Sequence, residues 1–108
     1  MINLAGLLTP QCSQNPVRGA EVNLIGAINV FEGALKHGLK KVAYTSSIGG
    51  YGPNHAKFPE PTTHYGSLKL ASERVARAFY EEHGISSLGV RPFVVYGPGV
   101  SSGCTAAV

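Results

Sequence analysis

Tyr65 and Lys69 stand four residues apart in the stretch TTHYGSLKLASE, residues 62–73. On a helix, residues at that spacing share one face. A cation beside a phenol favours the phenolate, so the pair could exchange a proton with a hydroxyl or carbonyl near neutral pH. Such chemistry needs a second hydroxyl to hold the substrate oxygen. Ser47, at the end of VAYTSS (42–47), is the natural candidate.

The surrounding pattern predicts the elements that must position these groups. INLA (2–5) reads as the end of a strand, and GLLTPQCSQNP (6–16) as a loop rich in breakers. From Val17, the residues Leu24, Ile28, Phe31 and Leu35 recur at steps of four, three and four, which marks one helical face. Gly38 ends that helix, with Lys36 and His37 in its last turn. Residues 42–47 form a β-rich run that turns polar at its end. IGGYGPNHAKFPEP (48–61) is a long irregular loop of the kind that is functional or mobile. Thr62 or Thr63 caps the next helix, in which Leu68, Ser72, Val75 and Phe79 repeat the helical period up to Gly84. LGVRPFVVYG (88–97) reads as a buried strand, and the tail VSSGCTAAV has no period. The order strand, helix, strand, helix, strand predicts an α/β chain with a parallel sheet built from βαβ units. No repeat and no linker divides it.

Composition agrees. Charged residues make up 14 % of the 108, and hydrophobic residues 44 %, a balance that fits strands buried on both faces. The net charge is +3 with basic residues scattered apart from Lys36, Lys40 and Lys41, so no nucleic-acid partner is expected. The two cysteines, Cys12 and Cys104, have no paired spacing and are expected as free thiols. No apolar run is long enough to span a bilayer and no signal peptide is recognisable. These features predict a cytoplasmic protein without a membrane partner. No metal site is expected.

Ligands of open α/β sheets bind at the carboxyl ends of the strands. Three such ends are visible: Ala5-Gly6, Thr45-Ser46-Ser47, and the region from Pro92 to Gly97. The motifs there, taken in order, are LAG at 4–6, NLIGA at 23–27, TSSIGGYG at 45–52, YGSLK at 65–69 and RPFVVYGPG at 91–99. Together they resemble the extended short-chain dehydrogenase/reductases, the NAD-dependent epimerase/dehydratase family, over nearly the whole chain. NLIGA is similar to that family's N-x-x-G-T helix start, with Ala27 in place of Thr. Glu73 falls where the family often places an acid.

The resemblance implies a partial Rossmann-like, doubly wound parallel sheet, incomplete at both ends. Residues 1–108 would be the central and C-terminal part of one NAD(P)-binding domain. It implies Tyr65 as general acid/base, with Lys69 lowering its pKa and hydrogen-bonding the nicotinamide ribose, and Ser47 orienting the substrate oxygen. It implies NAD or NADP as cofactor, contacted by Leu4, Ala5, Gly6, Asn23, Thr45, Ser46, Tyr65, Lys69, Pro92, Val94 and Val95. Asn23 reads equally as a polar helix residue bonded locally, and Arg91 equally as a charge partner at a strand end. The implied reaction is hydride transfer between nicotinamide and a hydroxyl or keto carbon of a nucleotide sugar or similar substrate. Ile48-Gly49 after Ser46-Ser47, with no Asp-Glu pair, disfavours dehydration. A homodimer through the Tyr-Lys helix is a family expectation, with Leu70, Ala71, Arg74 and Ala78 as interface positions.

One family feature is not in the sequence. The glycine-rich turn that holds a pyrophosphate at a helix N-terminus would lie upstream of LAG, and so would the acid that selects NAD. The expectation is therefore a fragment with little turnover of its own, and an exposed sheet face and edge that favour association. The alternative is a catalytically inactive paralogue acting as a binding module.

Overall fold

The computed structural model describes residues 1–53 and 58–99. The middle of the 48–61 loop and the tail with Cys104 lie outside the described residues. The elements are β1 (Ile2–Asn3), α1 (Thr9–Gln14), α2 (Pro16–Ala20), a π turn (Glu21–Ile25), α3 (Gly26–Lys36), β2 (Lys41–Thr45), a 3-10 turn (Ile48–Tyr51), α4 (His64–His83) and β3 (Ser86–Val90). The strands form one parallel sheet in the order β1-β2-β3. Ile2 pairs with Ala43, and Thr45 with Val90. The chain is thus the expected open α/β sheet, with β2 as the central described strand.

Residues alternate across a strand, so Val42 and Tyr44 share one face. They meet Phe31 and Ala34 of α3, Ala76 of α4 and Ile85 to form the core. Phe31 lies between Tyr44, edge-on at 5.9 Å between centroids, and Phe79, stacked at 5.1 Å. The opposite face of the sheet is bare and apolar: Ile2, Leu88 and Val90 are all exposed.

Four details depart from the sequence reading. The 6–16 loop contains a helix, α1, with Pro10 in its first turn and anchored by the fully buried Cys12. Its sequence TPQCSQ has no apolar period, so tertiary packing of Cys12 makes the helix. Second, α2, the π turn and α3 run on without a break, with Ala20 and Gly26 both in the right-handed helical region. A π turn carries an extra residue and rotates the helix face. The buried positions are consequently Asn23, Ala27, Phe31 and Ala34, rather than the Leu24–Ile28–Phe31–Leu35 stripe, and Leu35 is exposed.

Third, α4 turns Gly66, Lys69, Ser72 and Ala76 inward, where the apolar pattern pointed to Leu68, Ser72, Val75 and Phe79. Fourth, the last strand covers 86–90 and not 88–97. Pro92 has no N–H to give a ladder, and Phe93, Val95 and Tyr96 beyond it are exposed without regular structure. The helix ends follow the sequence more closely. Thr63 caps α4, its hydroxyl accepting the Gly66 N–H at 2.9 Å. Gly38 and Gly84, both at φ 68°, terminate α3 and α4.

Candidate active site

Ser47 lies two residues past β2, and its hydroxyl accepts the Gly49 N–H at 3.1 Å. That bond caps the 3-10 turn and leaves the hydroxyl proton of Ser47 for another acceptor. The turn seats directly on α4. A methyl group built on Gly66 would fall 2.3 Å from the Gly49 carbonyl oxygen, so only a glycine lets helix and turn approach this closely. The approach puts the Ser47 hydroxyl and the edge of the Tyr65 ring both next to Gly49. A methyl group on Gly49 would stand 3.4 Å from Ser47 Oγ and 3.7 Å from Tyr65 Cδ1.

Lys69 is 4 % exposed, and its Nζ lies 5.8 Å from the Tyr65 ring centroid. Its Nζ donates to the Thr45 carbonyl at 3.0 Å. Burial pushes the ammonium below the ordinary lysine range, only partly countered by Cys12. A buried cation is costly unless its donors are used, and Thr45 takes one of three. The remaining donors lie beside Gly6: a methyl built there would be 3.3 Å from Nζ and 3.2 Å from Asn23 Oδ1.

Asn23 projects from the π turn and clamps the chain after β1. Its Oδ1 accepts the Leu7 N–H at 2.8 Å, and its Nδ2 donates to the Leu7 carbonyl at 2.9 Å. The amide thus plays the part of a neighbouring strand. Its bonds reach 16 residues back, not to its own helix. Nδ2 also lies 3.2 Å from Cys12 Sγ, and burial pushes that thiol up.

A groove of about 490 Å³ opens beside Ser47 and Tyr65, walled also by Thr9, Ile48, Thr63 and Phe93 among others. Among the described residues that line it there is no charged side chain. Val94 lies in the wall, while Leu4 and Val95 are largely exposed and Pro92 is half-buried. Ser46 is 1 % exposed and turns its hydroxyl to Glu73 instead of the groove. Sequence reasoning missed Thr9, which sat in an apparent loop, whereas Phe93 falls in the Pro92 to Gly97 strand end it had singled out. Arg91 is the charge partner at a strand end that one of its two sequence readings expected, and the structure supplies the identity of the partner, Glu73.

A sequence model described as the NAD dependent epimerase/dehydratase family matches residues 1–107. An uncharacterised protein of Methanocaldococcus jannaschii is 36 % identical over 92 residues, which are 78 % of this chain and 28 % of that protein. The chain therefore spans under a third of this curated relative. L-threonine dehydrogenase from Phytophthora infestans superposes with a TM-score of 0.85 at 28 % identity, covering 94 % of this chain and 36 % of that one. UDP-glucose 4-epimerase from Thermotoga maritima, solved with UDP-glucose, superposes at 0.83 with 26 % identity, covering 98 % and 38 %. The parallel sheet, the order of motifs and this match agree: the chain belongs to the NAD dependent epimerase/dehydratase family, whose cofactor is NAD(P).

Proposed function

We propose that residues 1–108 carry the acid/base half of a nicotinamide-dependent oxidoreductase acting on a nucleotide sugar. The observation behind this reading is that Ser47 and Tyr65 line one groove past the carboxyl end of β2, with the buried Lys69 ammonium 5.8 Å from the Tyr65 ring and bonded to the last residue of that strand. Tyr65 takes the proton of a substrate hydroxyl as hydride leaves its carbon, and returns it in the reverse direction. Ser47 donates its free hydroxyl proton to the same oxygen. Lys69 keeps a positive charge beside the Tyr65 ring.

The residues present fit a nicotinamide cofactor. Lys69 has donors to spare next to a bare Gly6, a cradle that a side chain would fill. Gly6, Asn23, Lys69 and the Pro92–Val95 stretch would hold it, with the backbone of Leu4, Ala5, Thr45 and Ser46 alongside. When bound, the cofactor supplies the hydride acceptor. The described wall, rich in hydroxyls and without charge, suits a neutral sugar ring better than a zwitterionic amino acid such as threonine.

The test is turnover of UDP-glucose with NAD⁺ by the complete gene product, followed by NADH absorbance and by epimer analysis. Tyr65→Phe is expected to lower turnover by roughly 10²–10⁴-fold with cofactor affinity unchanged. A Tyr65→Phe protein as active as the parent would overturn the reading. The bare apolar sheet face favours a second reading, a binding module. A nicotinamide titration separates the two, because a module of that kind has no need to bind NADH.

A further inference from the structure

Glu73 sits one helical turn beyond Lys69 on α4, outside the groove. Its carboxylate accepts from Arg91 Nε at 2.7 Å, again from Arg91 Nη2, and from the Ser46 hydroxyl. Arg91 in turn donates to the Tyr51 hydroxyl and lies 4.4 Å from that ring's centroid. The Glu73 side chain is 15 % exposed and that of Arg91 36 %. The Glu73–Arg91 pair therefore ties together four parts of the fold: the end of β2 through Ser46, the end of the 3-10 turn through Tyr51, α4 and the exit of β3. The Ser46 N–H closes the ring by donating to the Val90 carbonyl at 2.7 Å.

We propose that Glu73 and Arg91 are positioning residues: their clasp sets the spacing between Ser47 and the Tyr65–Lys69 face, and aims the chain leaving β3 across the groove. This rests on the reading of Ser47, Tyr65 and Lys69 as the reacting groups. Each anchor of the clasp adjoins a working residue. Ser46 precedes Ser47, Arg91 precedes Pro92, Glu73 follows Lys69 by one turn, and Tyr51 ends the turn begun by Ile48. The Gly49–Gly66 contact limits how close turn and helix can come. The clasp stops them from drifting apart.

An ion pair with its arginine this exposed contributes little to stability. A bidentate guanidinium–carboxylate pair does fix direction as well as distance. Burial alone would raise the Glu73 carboxyl, but the bonds from Arg91 and Ser46 outweigh it and hold the group below the ordinary carboxylate range. The clasp is therefore closed at neutral pH.

The experiment compares parent, Glu73→Gln, Arg91→Lys and Tyr51→Phe in the complete gene product. Amide hydrogen exchange is followed by mass spectrometry beside turnover of UDP-glucose with NAD⁺. In Glu73→Gln, exchange over residues 46–52 is expected to quicken about 10-fold while that over α3 stays unchanged. Turnover number falls roughly 10–100-fold, with KM moving less than about threefold. Arg91→Lys keeps the charge but loses the fork, and does not restore turnover. Tyr51→Phe removes one bond without disturbing the ion pair, so it reports on the clasp even if Glu73→Gln folds poorly. Equal quickening in α3 and the turn would make the role fold-wide and overturn the proposal. So would unchanged exchange over 46–52, or quickened exchange with unaltered turnover. If the parent itself transfers no hydride, the functional reading fails separately, and the exchange pattern alone decides whether the clasp orders the turn.

Discussion

Replacing Gly66 by alanine tests the link between packing and site geometry directly. In an ordinary helix the change is favourable by about 0.5–1 kcal/mol, because glycine loses more backbone entropy on folding. Gly66 is different. Its added methyl would lie 2.3 Å from the Gly49 carbonyl oxygen and 2.9 Å from the Gly49 carbonyl carbon, whereas ordinary contact begins at 3.4 Å. Both neighbours are backbone, so no side chain can swing away. Helix and turn must part by about 1 Å, and overpacking of that kind costs roughly 1–3 kcal/mol. The net expectation is a loss of about 1–2 kcal/mol, or a fall in Tm of roughly 4–15 °C for a domain this size.

Gly33 provides the control. It is also within a helix, but nothing lies within 4 Å of a methyl built there. Gly33→Ala should therefore stabilise by about 0.5–1 kcal/mol. Thermal and urea melts of the two variants against the parent give opposite signs. Turnover should follow the geometry, with Gly66→Ala losing about 10²-fold through a 1 Å misplacement and Gly33→Ala unaffected. Should Gly66→Ala stabilise as much as Gly33→Ala, the seating of the turn on α4 would not be what fixes Ser47 beside Tyr65.

Three further outcomes are expected from the packing around Lys69, Phe31 and Asn23. Lys69→Met removes a buried charge whose folded pKa is depressed by desolvation; stability is expected to hold or to rise by about 1–2 kcal/mol, while NADH binding, read by fluorescence titration, is lost. The sign of the pH effect is fixed: the unfolded lysine holds its proton to higher pH, so parent stability climbs as pH rises from the folded pKa towards the ordinary lysine value, and melts of Lys69→Met at a series of pH values should lack that climb. Phe31→Ala empties the space between Tyr44 and Phe79 and should cost about 3–5 kcal/mol, enough to leave the far-UV circular dichroism transition uncooperative or absent at room temperature. Asn23→Ala frees both backbone groups of Leu7 and should cost about 1–3 kcal/mol, with the Leu7 amide the one whose exchange rises most.

Much of this protein can be read from its sequence because the signals are local. Steric and hydrogen-bonding rules placed the ends of α3 and α4 at Gly38 and Gly84 and the start of α4 at Thr62 or Thr63, of which the structure uses Thr63. Alternating strand and helix signals required a parallel sheet, and the four-residue spacing of Tyr65 and Lys69 put them on one helical face. What the sequence could not decide depends on contacts between distant residues. A π turn is invisible to a period of 3.6, yet it exchanges Leu24 for Asn23 at the buried position and so delivers the clamp on Leu7. The inward face of α4 is Gly66, Lys69, Ser72 and Ala76, chosen by close approach to the turn and by β2, and it shares only Ser72 with the predicted stripe, although Phe79 of that stripe still packs on the core. Helix α1 exists because Cys12 packs beneath the Asn23 amide, and the Glu73–Arg91 clasp because two strand ends and a helix converge. Hydrophobic periodicity locates surfaces that must be buried; it carries no information about small and polar side chains, and in this protein those are the residues that set the site.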